Sequence, residues 1–269
     1  MREPSGERFD ALVRIMERLR ADGGCPWDRE QTRQSLKPFL IEEAYEVVEA
    51  IDKGDTEQLL EELGDLLFQV VFHAQVAAER GEFTIGQVLA ATADKMVRRH
   101  PHVFSDGTAS TAGEVLEQWE KLKREERDAV AAVPGSALDG VPKELPALLR
   151  AQRLQDKASR AGFDWPEISG VIAKVQEELD ELNAAMEGPA PNEIELELGD
   201  LLFSLVNMAR FLNLSAEDAL RKSIGRFSGR FRYMEQTIER GGRRLKEASP
   251  EEMNSLWEDA KASGRLPLA

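Results

Sequence analysis

The chain has 269 residues, 50 acidic and 35 basic, for a formal net charge of −15. That surplus argues against a general binder of DNA or RNA backbones, which needs a basic face. A composition of 42% hydrophobic and 32% charged residues belongs to a globular rather than a disordered chain.

One cysteine, Cys25, allows no intrachain disulfide and suits a reducing cytoplasm. With only His73, His100 and His102, any metal site must be built mostly from oxygen. The first residues lack the apolar stretch of a signal peptide, and the run from Leu66 to Val71 is far too short to span a bilayer. The expected location is the cytoplasm, with no membrane partner.

Apolar residues recur at helical spacing along nearly the whole chain. Phe9, Leu12, Val13, Met16 and Leu19 form one stripe, closed by Asp22-Gly23-Gly24. A second helix is predicted from about Ser35 to Asp52, and Lys53-Gly54-Asp55 turns the chain. Thr56 is the expected cap of a third, running to about Glu79. Thr84 starts a fourth, which must end near Arg99 because Pro101 follows. Helical pattern resumes from Gly113 to Arg127.

Residues 128–146, rich in proline and glycine, read as a linker between an N-terminal repeat (1–127) and a C-terminal one (147–269). Further helices are predicted at about 147–160, 167–187, 193–212, 216–239 and 250–262. No alternating strand of five or more residues is present, so the fold class is all-α, a tandem-repeat helical bundle.

The second half repeats the first. Glu62-Leu63-Gly64-Asp65-Leu66-Leu67-Phe68 recurs as Glu197-Leu198-Gly199-Asp200-Leu201-Leu202-Phe203, 135 positions later (197 against 62). Glu42-Glu43 and Glu46 recur as Glu177-Glu178 and Glu181 at the same offset. Lys95 and Arg99 correspond to Arg226 and Arg230, and Trp119 and Lys123 to Trp257 and Lys261, with small shifts of offset.

Glu43 and Glu46 share a helix face, as do Glu62 and Asp65 on the next helix, and a tight turn makes the two helices antiparallel neighbours. Four carboxylates then converge; Glu178, Glu181, Glu197 and Asp200 repeat the arrangement. Such a quartet repels itself unless a cation binds, and all-oxygen ligation suits Mg²⁺, with Mn²⁺ as a substitute. A di-iron carboxylate centre would need Glu-x-x-His pairs, which neither repeat has. Gly64 and Gly199, costly in helix interiors, suggest close approach of a helix or a ligand. The i,i+4 pairs Lys95/Arg99 and Arg226/Arg230 are spaced to neutralise phosphate, and Trp257 with Lys261 to stack a base and hold a phosphate. Each also reads as an ordinary solvated or packed helix face. Cys25, before a proline, reads as a turn residue, and His100 and His102 as structural or dimer contacts.

Cys25-Pro26-Trp27-Asp28, Gln31-Thr32, Ser35-Leu36, Glu42-Glu43-Ala44-Tyr45-Glu46 and Arg99-His100-Pro101-His102-Val103-Phe104 closely resemble the signature of the MazG nucleoside triphosphate pyrophosphohydrolases. Both Gly-Asp-Leu-Leu-Phe segments strengthen the likeness, which covers nearly the whole chain. The resemblance implies the all-α NTP pyrophosphatase fold, usually a homodimer. It also implies Mg²⁺-dependent hydrolysis of an NTP or dNTP to the monophosphate and pyrophosphate.

In two-repeat members the C-terminal repeat is commonly the catalytic one. Carried over, Glu178, Glu181, Glu197 and Asp200 bind the metal, and Lys174, Arg226, Arg230, Trp257 and Lys261 contact the nucleotide. Glu178 or Glu177 is the candidate general base. Lys174 has Phe39 as its counterpart, so the first repeat lacks that cation. Glu43, Glu46, Glu62, Asp65, Lys95 and Arg99 nevertheless leave a possible second site there. Arg226 stands where the family often has lysine, and Arg33 where it often has histidine. A non-catalytic metal-binding adaptor and a pyrophosphohydrolase for one specialised nucleotide are the alternatives.

Overall fold

The computed structural model describes residues 5–128, 135–188 and 191–262. Among these residues every regular element is a helix; none is a strand, and no helix is long and apolar enough to cross a membrane. The chain divides into two compact units, the boundary falling between Trp119 and Glu120 inside one helix. Residues 129–134 of the predicted linker lie outside the described residues.

The first unit begins with α1 (Ser5–Arg20), the short α2 (Pro26–Glu30), α3 (Arg33–Lys53) and α4 (Thr56–Glu79). It continues with α5 (Ile85–Arg99), α6 (Pro101–Phe104) and the first half of α7 (Ala112–Asp128). The periodicity did not reveal α2, a five-residue turn with Pro26 at its start and Cys25 at its cap position.

Local chemistry sets the α3–α4 hairpin. Thr32 opens α3 through a reciprocal capping box with Ser35. Gly54 closes it in the left-handed region, at φ 67°, where a side chain would be strained. The cap of α4 is Asp55 rather than Thr56: its carboxylate accepts the backbone N–H groups of Glu57 and Gln58, and the negative charge favours the helix N-terminus. Thr84 caps α5 as predicted, again in a capping box, here with Gln87. His100 ends α5 and packs edge-on against Trp119, which gives it a structural role.

The stripe of α1 meets α3 and α4 in an apolar core of Met16, Leu36, Val71, Phe72 and Val76. Phe9, Leu12, Val13, Phe39 and Phe68 pack around it. Burying a side chain of this size contributes about 1.5–3 kcal/mol.

The second unit contains the rest of α7, then α8 (Ala147–Arg160), α9 (Ile168–Glu187), α10 (Pro191–Phe211), α11 (Ala216–Arg240) and α12 (Pro250–Ala262). A 3₁₀ turn over Leu245–Glu247 precedes α12. α9 and α10 form the counterpart of the α3–α4 hairpin, α8 packs on α10, and α11 packs on α12. Asn213 takes the left-handed conformation (φ 55°) after α10, a role that asparagine tolerates better than most residues. Ser215 then caps α11 through the backbone N–H of Asp218. The fully buried apolar side chains of this unit are modest in size, chiefly Val171, Val206 and Ile238.

Candidate functional site

The spacing of Glu178 on α9 and of Glu197 and Asp200 on α10 turns all three toward the seam of the hairpin. One carboxylate oxygen of each lies within 4.8 Å of the others. Glu178 is 4% exposed, Glu197 half-buried and Asp200 exposed. Burial, followed by the charges of Glu181, Asp200 and Glu178, pushes the Glu197 carboxyl above the usual carboxylate range. Glu181 is exposed and stands outside the close triad, although its charge acts on Glu197. The quartet is therefore three converging acids with the fourth at the rim.

Lys174 is one turn before Glu178 on α9. Its Nζ lies 2.6 Å from Glu178 Oε1 and 2.8 Å from Glu177 Oε1. Hydrogen bonds to Glu177 and Glu178 raise its pKa, so it stays charged. The lysine neutralises one edge of the triad and leaves the α10 acids facing one another.

The first unit builds the same triad from Glu43, Glu62 and Asp65. Burial and the charges of Asp65 and Glu46 raise the Glu43 carboxyl, with a hydrogen bond from Gln69 working the other way. Glu46 is half-buried beside it, and Gln58 donates to Glu62 at 3.2 Å. Both triads offer carboxylate oxygens alone, and Lys174 offsets the like charge at one edge of the second. That donor set fits a hard divalent cation. Gly64 and Gly199 bring no other helix close: a Cβ at either would meet nothing within 4 Å.

The remaining predicted nucleotide contacts cluster among themselves. The Arg230 guanidinium lies over the Trp257 ring, 5.6 Å from its centroid, and Phe227 packs on the same ring at 5.3 Å. Arg230 Nε is buried without a hydrogen-bond partner. Lys261 is paired with Glu258 at 2.9 Å, and Arg226 is exposed on α11. In the first unit Arg99 covers Trp119 at 5.5 Å, matching the Arg230–Trp257 pair, and Lys95 is half-buried on α5.

Sequence reasoning missed a cleft of about 740 Å³ in the second unit. Lys174, Glu178 and Asp200 stand on its wall, so it opens onto the acid triad. Its other walls come from α8, the Phe163–Trp165 loop and α10. Asp164 anchors that loop: Arg210 forks onto both of its oxygens, at 3.0 and 2.5 Å, and the Ser159 hydroxyl donates to it at 2.5 Å. Burial pushes the Asp164 carboxyl up, but the hydrogen bonds from Arg210, Ser159 and the Trp165 backbone outweigh it and hold the carboxyl below its usual range. Trp165 lies against the first turn of α9 where Gly170 has no side chain; a Cβ there would meet the indole at 2.9 Å. One signal was available in the sequence: at the repeat offset, Asn207 stands where the first unit has Phe72.

Both hairpins fall within segments that match known proteins. The model of the MazG nucleotide pyrophosphohydrolase domain matches twice, over residues 31–104 and 167–233, each match holding one acid triad. A Thermotoga maritima protein named nucleoside triphosphate pyrophosphohydrolase/pyrophosphatase MazG is 48% identical over 257 residues, 96% of this chain and 97% of its own. An Escherichia coli K12 nucleoside triphosphate pyrophosphohydrolase is 46% identical, over 94% of this chain and 97% of its own. Bacillus subtilis YabN is 45% identical over 96% of this chain but only 52% of its own length. With both triads inside matched segments and near-full-length relatives at this identity, the chain is an enzyme and belongs to the MazG nucleotide pyrophosphohydrolase family.

Proposed function

We propose that the second unit hydrolyses nucleoside triphosphates, ribo- or deoxyribo-, between the α- and β-phosphates. Water adds to the α-phosphorus, the bond from that phosphorus to the bridging oxygen breaks, and pyrophosphate leaves with the monophosphate as the other product. The observation that carries this reading is the Glu178–Glu197–Asp200 triad with Lys174 on its edge, opening onto a cleft of nucleotide size.

Glu178, Glu197 and Asp200, with Glu181 at the rim, would hold Mg²⁺, or Mn²⁺ in its place. When bound, the ion supplies positive charge to phosphate oxygens that the acids would otherwise repel. Lys174 is held charged by Glu177 and Glu178 and offers a further cation to the departing pyrophosphate. Glu177 lies outside the triad, on the same lysine as Glu178, and is exposed. Lys174 engages its Oε1, which leaves Oε2 as the atom to take the proton of the attacking water; Glu178, on the cleft wall, is the other candidate base. Arg226, Arg230, Trp257 and Lys261 remain assigned to the nucleotide on the family resemblance.

Large apolar side chains left exposed on α10 and α11, among them Leu198, Leu202, Ile224 and Phe227, support a homodimer. The single free cysteine suits a cytoplasmic enzyme.

The test is a panel of NTPs and dNTPs with Mg²⁺, scoring pyrophosphate separately from orthophosphate. Pyrophosphate and monophosphate are expected in equal amounts; orthophosphate alone would refute α–β cleavage. Asp200→Asn should abolish turnover and Asp65→Asn should leave it. Turnover surviving in the double variant would overturn the carboxylate mechanism.

A further inference from the structure

Part of the predicted linker is folded. Asp139 accepts the Ser136 backbone N–H at 2.7 Å, and Gly140 turns the chain in the left-handed region, at φ 85°, where a side chain would be strained. Residues of the 140–145 segment then meet the second half of α7 and one side of α8 around a pocket of about 220 Å³. This pocket is separate from the 740 Å³ cleft. Arg153, Asp156, Lys157 and Arg160 face it at helical spacing, whereas Leu154, Gln155 and Ala158, on the other side of α8, face the cleft.

The pocket gathers positive charge in a chain of net charge −15. Lys123, Arg153, Lys157 and Arg160 line it against Glu120 and Asp156, an excess of two cations. Glu120 is shared by three of them. Lys157 Nζ lies 3.2 Å from its Oε2, while Lys123 Nζ and Arg160 Nη1 lie 3.3 and 3.5 Å from its Oε1. Burial pushes the Glu120 carboxyl up, but the charges and hydrogen bonds of Lys123 and Lys157 outweigh it and hold the carboxyl below its usual range. One carboxylate does not neutralise three cations, and the group is partly withdrawn from water: Lys157 is 12% exposed and Glu120 22%. Cations short of counter-charge attract an anion, and the guanidinium forks of Arg153 and Arg160, exposed at the rim, match phosphate oxygens. Size narrows the choice. The pocket is smaller than the clefts of about 300–1,000 Å³ that enclose ligands of nucleoside size and larger. Cations projecting from two helices suit two linked phosphates better than one.

We propose that this pocket binds inorganic pyrophosphate, held between α7 and α8 by Lys123, Arg153, Lys157 and Arg160. For the origin of the ligand this rests on the pyrophosphohydrolase reading, yet binding can be tested apart from turnover.

The experiment is calorimetric titration of the full chain with pyrophosphate and with orthophosphate, in EDTA at matched ionic strength. Without a divalent cation the acid triads repel an anion, so binding reports on the basic pocket. Pyrophosphate should bind at least tenfold more tightly than orthophosphate. The double variant Arg153→Gln with Arg160→Gln, changed only at the rim, should weaken pyrophosphate binding at least tenfold. Glu120→Gln keeps an acceptor oxygen for the two lysines and removes the competing charge. It should tighten binding at least threefold, a gain that misfolding does not produce. If circular dichroism shows the double variant unfolded, Glu120→Gln decides alone. Pyrophosphate that does not bind, that binds no more tightly than orthophosphate, or whose affinity fails to move in these opposite directions would overturn the proposal. A parent that binds as expected yet releases no pyrophosphate from any NTP would remove the pyrophosphohydrolase reading and leave the pocket standing. Pyrophosphate release without metal-free binding would do the reverse.

Discussion

Lys174 Nζ lies 2.6 Å from Glu178 Oε1, and the residue at the equivalent place in the first unit is Phe39, packed on that unit's apolar core. One triad is therefore partly neutralised from within and the other is not. In the second unit the lysine competes with any cation for Glu178. Positive charge is held ready at the edge where a phosphate chain would enter.

Replacing Lys174 by methionine keeps most of the packing volume and removes the charge. Divalent-cation affinity at this triad should rise by roughly three- to tenfold, since one charge a few ångströms away is worth about 1 kcal/mol in a well-solvated site. NTP turnover should fall by at least about tenfold, because the same charge faces the phosphates. Mn²⁺ titration by electron paramagnetic resonance, set beside kcat, separates the two effects. A variant that loses both cation affinity and turnover would show that Lys174 acts on the fold rather than on charge.

Glu197 carries the complementary prediction. Its raised pKa means that its ionised form is disfavoured in the folded state, chiefly by burial and then by Glu181, Asp200 and Glu178. A carboxyl raised on folding destabilises once ionised, and the penalty is relieved as pH falls through the folded-state pKa. Without metal, Glu197→Gln should melt higher than the parent at pH 7, with the gap shrinking as pH falls into the carboxylate range. With Mg²⁺ the order should reverse, because ligand binding stabilises only the chain that binds it. Thermal melts at several pH values, with and without Mg²⁺ and EDTA, measure both arms.

The hairpins and their acids were legible because helical spacing and a constant offset are properties of the chain itself. Glu43 and Glu62, or Glu178 and Glu197, must approach once a tight turn makes their helices neighbours. The distinction between Glu181 at the rim and the three converging acids was not legible, since it depends on the rotation of α9 against α10. Nor was the cleft. Its volume is set by what is missing, and a missing ring at Asn207 becomes visible only when Phe72 is seen filling the same place. Gly64 and Gly199 misled for a related reason. Spacing reports that a side chain is absent, whereas only coordinates report whether anything occupies the room.

Arg210 and Asp164 give a pH-dependent prediction of the opposite sign. Asp164 is depressed below its ordinary value, so its pair with Arg210 stabilises the fold above the unfolded-state carboxylate pKa and is lost as pH falls through the folded one. The two side chains are 13% and 27% exposed, between the surface and buried limits, so Arg210→Ala should cost about 1–2 kcal/mol at pH 7. The difference from the parent should vanish at a pH low enough to protonate Asp164. Urea melts at neutral and acid pH test this, and a cost that persists in acid would assign the loss to the packing of Arg210 on Phe211 instead.

Gly170 separates stability from substrate binding at the same loop. Alanine in the first turn of α9 removes glycine's conformational freedom, a gain of up to about 1 kcal/mol. Its Cβ would meet the Trp165 indole at 2.9 Å, so the ring must move away from the helix. Because the indole is a wall of the cleft rather than part of the core, the displacement should fall on binding more than on folding. Gly170→Ala is therefore expected to melt within about 1 kcal/mol of the parent while KM for NTPs rises several-fold and kcat holds. A shift in tryptophan emission should accompany the change in KM. Unchanged KM together with shifted emission would show that Trp165 moves without touching the substrate.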